Sequence, residues 1–264
     1  MIRLTMSQAT LVALALCVLS ACGGGSGDAS PTSSGPLPNL RERVVTVAVE
    51  TSSPPFSYID LGGQGFGWDY DTVREICRRL NCIARFQQTA FQGVFEAVGA
   101  GQFDMLADGV TITAARQQSV VFSIPYVIVD EVLLVLASEP ESLGQFTVDF
   151  TKTVGAQAGT INEQTAVGRF GAARVFTAGS TPEVVSAVLG DTIGGAVLDS
   201  VAANRFAQGN AGLLKTLGTL ASGEQLAFAF PPNSPLLAPV NAALQSMIAD
   251  GTLRALNIQW GVGS

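Results

Sequence analysis

The chain has 264 residues, of which 47% are hydrophobic and only 13% charged, with 14 Lys and Arg against 21 Asp and Glu. This length supports one large core or two modest ones, which excludes a small disulfide-stabilised scaffold. The net charge of −7 argues against a nucleic-acid-binding surface, because neutralising phosphates requires a basic face. There is no histidine, so histidine metal ligands, Ser-His-Asp triads and imidazole bases are excluded.

Residues 1–21 are predicted to be a signal peptide. Arg3 precedes an apolar run, residues 11–19, that is shorter than the roughly 18–20 residues of a membrane span. The run ends in Leu19-Ser20-Ala21-Cys22, which resembles a bacterial lipobox with cleavage before Cys22 and lipid on its sulfur. The alternative is an ordinary secretory signal cut after Ala21, with Cys22 unmodified.

Residues 22–39 are predicted to form a flexible tether, because Gly, Ser and Pro dominate and cannot bury enough apolar surface to offset their ordering entropy. We expect a folded part from about Leu40 that lies at a bacterial membrane surface, in the periplasm or outside the cell. In that oxidising compartment Cys77 and Cys82 form a disulfide if a helix ends between them; otherwise they are two buried thiols.

From Arg43 onward, short β-rich runs alternate with helical periodicity. The helical pattern is clearest after Asp69–Asp71, where apolar residues recur at positions 73, 76, 77 and 80. Strands are predicted at 44–49, 83–86, 103–106 and 120–122, and helices around 73–80 and 94–98. This βαβαβ order is typical of helices packed on a parallel sheet.

A second α/β series follows. Its strands are predicted at 131–137, 154–157, 173–176 and 195–198, and its helices at 160–167 and 183–189. Thr181 and Pro182 favour the start of the second helix, as a capping hydroxyl and a proline at the first helical position. A β-like run at 225–230 precedes a closing amphipathic helix that carries Leu236, Val240, Leu244, Met247 and Ile248.

The two series predict an α/β protein with two lobes, joined by two crossover segments near 127–137 and 220–230. We expect lobe 1 to comprise residues 40–130 and 226–264, and lobe 2 residues 131–225. Ligands of such sheets bind beyond the carboxyl ends of the strands, which here places them in the cleft between the lobes. A single larger sheet is the alternative.

Several motifs occur in a specific order along the chain. They are Pro54-Pro55-Phe56, Gly67-Trp68-Asp69-Tyr70-Asp71, Gly109-Val110-Thr111-Ile112-Thr113 followed by Arg116, Phe122-Ser123-Ile124-Pro125-Tyr126, Gly159-Thr160, Asp199 at a strand end, and Asp250-Gly251-Thr252. From about Val44 to Gly261 the chain thereby resembles the family 3 extracellular solute-binding proteins, the polar amino-acid receptors of bacterial ABC importers. The resemblance implies the two-lobed type II periplasmic-binding-protein fold, hinge closure on a ligand, delivery to a membrane permease, and no cofactor or metal.

A free amino acid is a zwitterion, so its receptor needs a cation for the carboxylate and an anion for the ammonium. Arg116 offers a planar fork for a carboxylate, and Thr111 with the backbone N–H groups from Gly109 onward adds neutral donors. Thr160 of lobe 2 is expected to bind the same carboxylate, and Asp199 the ammonium. The alternatives are a solvated surface arginine at position 116 and a helix N-cap at Asp199.

The side-chain end of the pocket is expected to be negative. Glu50 stands where relatives often have an acidic residue, whereas Asp108 stands where they usually have a small one. Gln157 is expected to add a hydrogen bond there. These residues favour a cationic or amide-bearing ligand such as arginine, lysine, ornithine or glutamine.

Aromatic stacking on the ligand is less clearly encoded. Many relatives place an aromatic residue where this chain has Ser53. Stacking is therefore expected from Phe56, Tyr58, Trp68 or Phe91, and we take Phe56 and Phe91 as candidates for the cleft.

A different class of function is catalytic, because some periplasmic proteins of this architecture resemble cyclohexadienyl (arogenate or prephenate) dehydratases. Those enzymes need a proton donor aimed at a ring hydroxyl, for which Glu50 and Asp108 are the candidates. A cleft that retains Arg116 and Asp199 suits an intact zwitterion better. We therefore expect a monomeric binding protein without catalytic residues, and regard a sensory module as a third possibility.

Overall fold

The computed structural model describes residues 36–60 and 62–263. The predicted signal peptide, Cys22 and the tether up to residue 35 lie outside the described residues. The strands are β1 (Arg43–Val49), β2 (Ser52–Ser53), β3 (Ser57–Ile59), β4 (Gly65–Phe66), β5 (Cys82–Gln88), β6 (Met105–Leu106), β7 (Val121–Phe122), β8 (Val127–Leu136), β9 (Val154–Gln157), β10 (Val175–Ala178), β11 (Gly195–Asp199), β12 (Leu214–Leu226) and β13 (Ala229–Phe230). The α-helices are α1 (Trp68–Leu80), α2 (Val94–Gly99), α3 (Leu143–Val148), α4 (Ile161–Phe170), α5 (Thr181–Leu189), α6 (Ser200–Gly209), α7 (Leu237–Ala249) and α8 (Thr252–Trp260).

The first large sheet has the strand order β5-β1-β6-β13-β7. β1 pairs in parallel with β5 and β6, as its continuous β-branched run predicts for a strand buried on both faces. The buried side chains of Val45, Val47 and Val49 pack with α1, α7 and α8, while Ala48 packs with α2 on the other face. Helices therefore cover both faces of the central strand β1, and the ends of the central strands are where this sheet can present groups to a ligand.

The second large sheet has the strand order β10-β9-β11-β8-β12. β9 is parallel to β10 and β11, whereas β8 is antiparallel to β11 and β12. The side chains of α3 and α4 share one core cluster with this sheet, and those of α5 and α6 share another. The alternative of a single larger sheet is therefore wrong.

β8 and β12 run between the two sheets. Their first-lobe ends pair Val127 with Leu226, and their continuation pairs Leu136 with Leu214 in the second sheet. Next to this pair, the N–H of Ala227 donates to the carbonyl of Val110 in the first lobe (3.0 Å). Two adjacent antiparallel strands thus connect the lobes, and the lobe boundaries that we propose at 130/131 and 225/226 fall within them.

Three local predictions differ from the structure. The predicted strand at 103–106 is shortened to β6, because the Asp104 carboxylate accepts the backbone N–H of Thr46 (2.8 Å). Ser180, not Thr181, is the N-cap residue of α5, and the Thr181 hydroxyl instead donates to the Gln157 side chain (2.8 Å). Ile248 is 54% exposed, so it lies outside the buried face of α7.

A small sheet of β2, β3 and β4 and the C-terminal helix α8 complete the described fold. Strands of two or three residues are too short to show periodicity, which is why the sequence did not predict this sheet. The indole N–H of Trp260 in α8 donates to Asp71 in α1 (3.0 Å). No helix of the described part is both long and apolar enough to cross a bilayer.

Cys77 and Cys82 are joined by a disulfide in the structure. Asn81 ends α1 in the left-handed conformation, with φ 52°, and the chain turns directly into β5. This turn brings the two Cα atoms to 4.5 Å, within the range that a disulfide bridges. The pairing follows the interpretation that requires a helix end between the cysteines.

Arg79 ties α1 to the C-terminal helices. Its guanidinium donates to Glu75 (2.7 Å), Ser246 (2.7 Å) and Thr252 (2.8 Å), and it lies 2.8 Å from the Asp250 carboxylate. The side chain is only 8% exposed, so these bonds are shielded from water. Loss of Arg79 would remove all of these bonds at once, from three partly buried partners and from Asp250, which is half exposed.

We predict that Arg79→Ala lowers the free energy of unfolding by about 2–4 kcal/mol, because a buried charge network is broken. Chemical denaturation measures this loss. Arg78→Ala is the matched control, since Arg78 also bonds Glu75 but its side chain is 69% exposed. Equal losses from both variants would show that the burial of Arg79 is not what matters.

Candidate functional site

The cleft between the two sheets is lined by the residues that follow the carboxyl ends of their parallel strands. From the first lobe, Glu50 follows β1, and Asp108 to Arg116 follow β6. From the second lobe, Gln157 and Asp199 end β9 and β11. This is where an α/β sheet presents groups to a ligand, because backbone N–H donors and loop side chains converge there.

Arg116 lies in the cleft, in a short 3-10 turn, Arg116–Gln118. One guanidinium nitrogen donates to the carbonyl of Thr111 (2.7 Å), and the group stands 4.3 Å from the ring centroid of Phe95. Burial lowers the pKa of Arg116 to about 10, so it remains charged at neutral pH. Among the described residues the Arg116 guanidinium forms no ion pair within 4.0 Å. Because Nη1 donates to Thr111, the other terminal nitrogen, Nη2, is left for a ligand.

Asp199 has the N-cap role that the sequence offered as an alternative, and it also lines the cleft. It is the N-cap of α6, where Oδ1 accepts the N–H groups of Val201 (3.0 Å) and Ala202 (2.8 Å). Both cap bonds use Oδ1, so Oδ2 remains an acceptor in the cleft. Burial raises the pKa of Asp199 despite the two cap bonds that oppose this shift. A cation near Oδ2 would favour the ionised form.

Thr160 is placed at the cleft, but its hydroxyl is already engaged. It is the N-cap of α4, where Oγ1 accepts from Glu163 N (3.2 Å) and donates to the Gln157 carbonyl (2.6 Å). The hydroxyl proton is therefore not free for a ligand carboxylate. The backbone N–H is held only by a long 3.4 Å bond to the same carbonyl, and it is the donor that Thr160 retains for a ligand.

Thr111 and Gly109 line the first-lobe side of the cleft. Thr111 is buried and is held by a β-bridge to Leu226 at the start of the crossover. Gly109 has φ +57°, and a Cβ at this position would lie 2.9 Å from the ring of Phe56. Only glycine fits this turn without strain or collision.

The acidic end of the cleft contains Glu50 and Asp108, as predicted. Ser57 donates to Asp108 (2.5 Å), and Gln157 donates across the cleft to Glu50 (2.7 Å). Burial and the charge of Glu50 raise the pKa of Asp108 to about 7. Burial also raises the pKa of Glu50, partly offset by the bond from Gln157. Gln157, expected to bond the ligand, here links the lobes, with Thr181 donating to its side-chain oxygen (2.8 Å).

Glu131 is a cleft residue that sequence reasoning missed. It lies on β8, is 1% exposed and lines the cleft with Asn162 of α4. With its amide nitrogen turned toward Glu131, Asn162 donates to both carboxylate oxygens, Oε1 (3.0 Å) and Oε2. Burial, and secondarily the charge of Asp199, raises the pKa of Glu131 to about 8. An acidic residue within an otherwise apolar strand was the available signal.

The aromatic expectations divide. Phe91 lines the cleft and lies 5.6 Å from the Arg116 guanidinium, as one of the two candidates. Phe56 does not line it: the ring is 1% exposed and packs in the first-lobe core beneath Gly109. Trp68 is also core, and Tyr58 packs against other aromatic rings. Stacking on a ligand therefore depends on Phe91.

The charges that line the cleft do not balance. Within the described residues, four carboxylates face it, and Arg116 is the one cation. The carboxylates are those of Glu50, Asp108, Glu131 and Asp199. No group of three or more His, Cys, Asp or Glu in the described part could hold a metal ion. Such a cleft suits an organic ligand with one negative and at least one positive group.

We predict that Gly109→Ala destabilises the protein more than Gly101→Ala. Both glycines have positive φ, so both variants lose roughly 1–2 kcal/mol from backbone strain. At Gly109 the new methyl group also collides with Phe56, which adds about 1–3 kcal/mol, whereas a Cβ at Gly101 contacts nothing within 4 Å. Thermal unfolding of the two variants compares these costs, and equal losses would mean that the Phe56 contact relaxes freely.

Comparisons with known proteins identify the family. The model of the bacterial extracellular solute-binding proteins, family 3, matches residues 45–263. The chain is 33% identical over 127 residues to a probable histidine-binding protein of Neisseria gonorrhoeae, covering 48% of this chain and 46% of that protein. It is 30% identical over 116 residues to the arginine-binding periplasmic protein of Mannheimia haemolytica, covering 43% of this chain and 45% of that protein. The chain thus spans about half the length of these two relatives.

Longer matches have lower identity. The L-cystine-binding protein TcyJ of Escherichia coli (strain K12) is 26% identical over 228 residues, 86% of both chains. An ancestral arginine-binding protein bound to glutamine superposes with a TM-score of 0.76 and 28% identity, over 83% of this chain and 98% of that one. A putative ABC-transporter binding component from Wolinella succinogenes DSM 1740, complexed with lysine, superposes with a TM-score of 0.77 and 25% identity, over 84% of this chain and 97% of that one.

The two-lobed α/β fold predicted from the sequence is confirmed by these structures. A further neighbour is an ancestral amino acid-binding protein that is a precursor of cyclohexadienyl dehydratase, with a TM-score of 0.74, 29% identity, and coverage of 82% and 94%. That neighbour is named as a binding protein, as are the curated relatives above, so these comparisons favour the binding alternative over the enzymatic one. The chain belongs to the bacterial extracellular solute-binding proteins, family 3, and its curated relatives are named as binding proteins.

Proposed function

We propose that this protein captures an amino acid, cationic or amide-bearing, by closing its two lobes around it, and delivers it to an ABC permease. The observation that carries the proposal is the position of Arg116 and Asp199 on opposite walls of one cleft. A guanidinium pairs with the ligand carboxylate and a carboxylate pairs with the ligand ammonium. These are the two charged groups that all free amino acids share.

The residues proposed to bind the ligand lie on different lobes, and this couples ligand binding to closure of the lobes. Arg116 belongs to the first lobe, with Thr111 and Gly109, whereas Asp199 and Thr160 belong to the second. A ligand that bridges both sets gains its full contact energy only when the lobes meet. Its differential affinity for the closed form then shifts the hinge equilibrium, as ligand-driven domain closure requires.

The side-chain end of the cleft sets the preferred ligand class. Glu50 and Asp108 are both buried, and beside the effect of burial the charge of Glu50 raises the pKa of Asp108. A positive ligand group between them relieves this repulsion, whereas a third carboxylate adds to it. Gln157 lines this end of the cleft, but its side chain is already bonded to Glu50 and Thr181. Relatives named for binding arginine and histidine are consistent with this preference.

The cellular setting follows from the family and the N-terminal motif. We propose a lipid on Cys22 and attachment to a bacterial membrane through the segment up to residue 39, with the binding lobes in the periplasm or at the cell surface. The protein is proposed to act as a monomer, with the permease as its partner. Mass spectrometry of the mature N-terminus tests the lipid.

Calorimetric titration with arginine, lysine, glutamine and glutamate tests the ligand class. We predict that arginine or another cationic ligand binds at least ~10-fold more tightly than glutamate, because a third carboxylate between Glu50 and Asp108 is repelled. Since a cation favours ionised Asp108, whose pKa is about 7, the affinity for arginine should rise from pH 6 to pH 8.

Two comparisons make this titration decisive. Arg116→Met keeps a long side chain against Phe91 and Phe95 but removes the charge, and it should weaken every amino acid by about 100-fold or more. Arg205→Met, an exposed arginine on α6, is the matched control. Tighter binding of glutamate than arginine contradicts the ligand class, and unchanged binding by Arg116→Met contradicts the site.

A further inference from the structure

Glu131 occupies a distinctive position in the fold. It lies on β8, where this strand has just passed from the first lobe to the second, and its side chain lines the cleft at 1% exposure. In the sheet it is directly opposite Asp199 of β11. Side chains of directly opposed residues project to the same face with Cβ atoms about 5 Å apart. Two carboxylates therefore stand side by side at the hinge end of the cleft.

The groups around Glu131 come from four elements. Asp199 on β11 and Glu224 on β12 are negative, Arg116 in the 3-10 turn is positive, and Asn162 on α4 is a neutral donor. The guanidinium of Arg116 donates to the Thr111 carbonyl and, in the proposed function, also pairs with the ligand carboxylate. The carboxylate pair thus lacks a cation of its own among the described residues. A like-charged buried pair is stable only with a positive charge or a proton between its members.

We propose that Glu131 is a ligand-binding residue, which together with Asp199 forms a two-carboxylate clamp for the ammonium group of the ligand. This inference rests on the proposed function and deepens it. An ammonium has three N–H donors, and Asp199 Oδ1 is already used by the α6 cap. Asp199 therefore offers the ammonium only Oδ2, and the Glu131 carboxylate supplies a further acceptor.

The clamp couples ligand binding to proton release. Without a cation, the repulsion and burial that raise the pKa of Glu131 to about 8 keep one proton on the pair at neutral pH. The ligand ammonium takes the place of that proton, which passes to the solvent as the ligand enters. Affinity therefore rises with pH up to about 8, where Glu131 is already ionised before binding.

A purely structural Glu131 predicts something different. In that case its function is to bond Asn162 and hold α4 against β8, and a glutamine would preserve the volume and the acceptor oxygen of that bond. Such a substitution would leave ligand discrimination intact. The ammonium clamp predicts that discrimination between an amine and a hydroxyl at the ligand's α-carbon is lost.

The test titrates wild type, Glu131→Gln and Asp130→Asn with L-arginine and with its α-hydroxy analogue. Asp130 is the adjacent residue on β8, outside the cleft lining, and an asparagine there keeps the acceptor for the N–H of Gly223 (3.3 Å), so it is a matched charge-removal control. We expect Glu131→Gln to weaken arginine binding by about 10- to 100-fold and to affect the hydroxy analogue much less. Asp130→Asn should change both ligands by less than about threefold.

Repeating the titrations at pH 7 in buffers of different ionisation enthalpy measures proton release. Wild type should release more protons per arginine bound than Glu131→Gln, and thermal unfolding checks that both are folded. If Glu131→Gln matches Asp130→Asn in affinity, in discrimination and in proton release, the clamp is overturned while the proposed function stands. If wild type binds no amino acid, the proposed function is overturned, and the clamp with it.

Discussion

The dominant physical constraint on this molecule is the excess of carboxylates in a cleft that water can hardly reach. Glu50, Asp108, Glu131 and Asp199 line it with Arg116 as the one cation among the described residues. Burial of that many acids is unfavourable unless protons or a cationic ligand compensate them, which is why the pKa values of all four are raised. In the proposed function, a cationic ligand supplies that positive charge when the lobes close around it.

The hinge geometry connects this charge imbalance to motion. β8 and β12 are the two strands between the lobes, and Glu131 lies on β8 at the point of passage. The bond from Gln157 to Glu50 shows how a neutral donor from one lobe satisfies an acid of the other when the lobes meet (2.7 Å). Ligand contacts and direct contacts between lobes thus act in the same direction. In the proposed function both stabilise the closed form, but only the ligand brings positive charge to the carboxylates.

Much of the fold was predictable because its strands carry strong local signals. The β-branched run of β1 and the Gly-Thr turn after β9 mark parallel strands and their ends, and Arg116 and Asp199 follow from the need to bind a zwitterion. Phe56 was misplaced because sequence does not show that Gly109 brings the backbone down onto its ring. Glu131 was missed because it lies inside an otherwise apolar strand, directly after Asp130, and only the register opposite Asp199 shows that it faces the cleft.

The central claim is that one amino acid is held across the cleft, its carboxylate on Arg116 and its ammonium on Asp199 and Glu131. A crystal structure of the protein grown with L-arginine tests it most directly. The account predicts the ligand carboxylate within ~3 Å of the guanidinium and the α-ammonium within ~3 Å of a carboxylate oxygen of the second lobe. A ligand bound in the reverse direction, or bound outside this cleft, would contradict it.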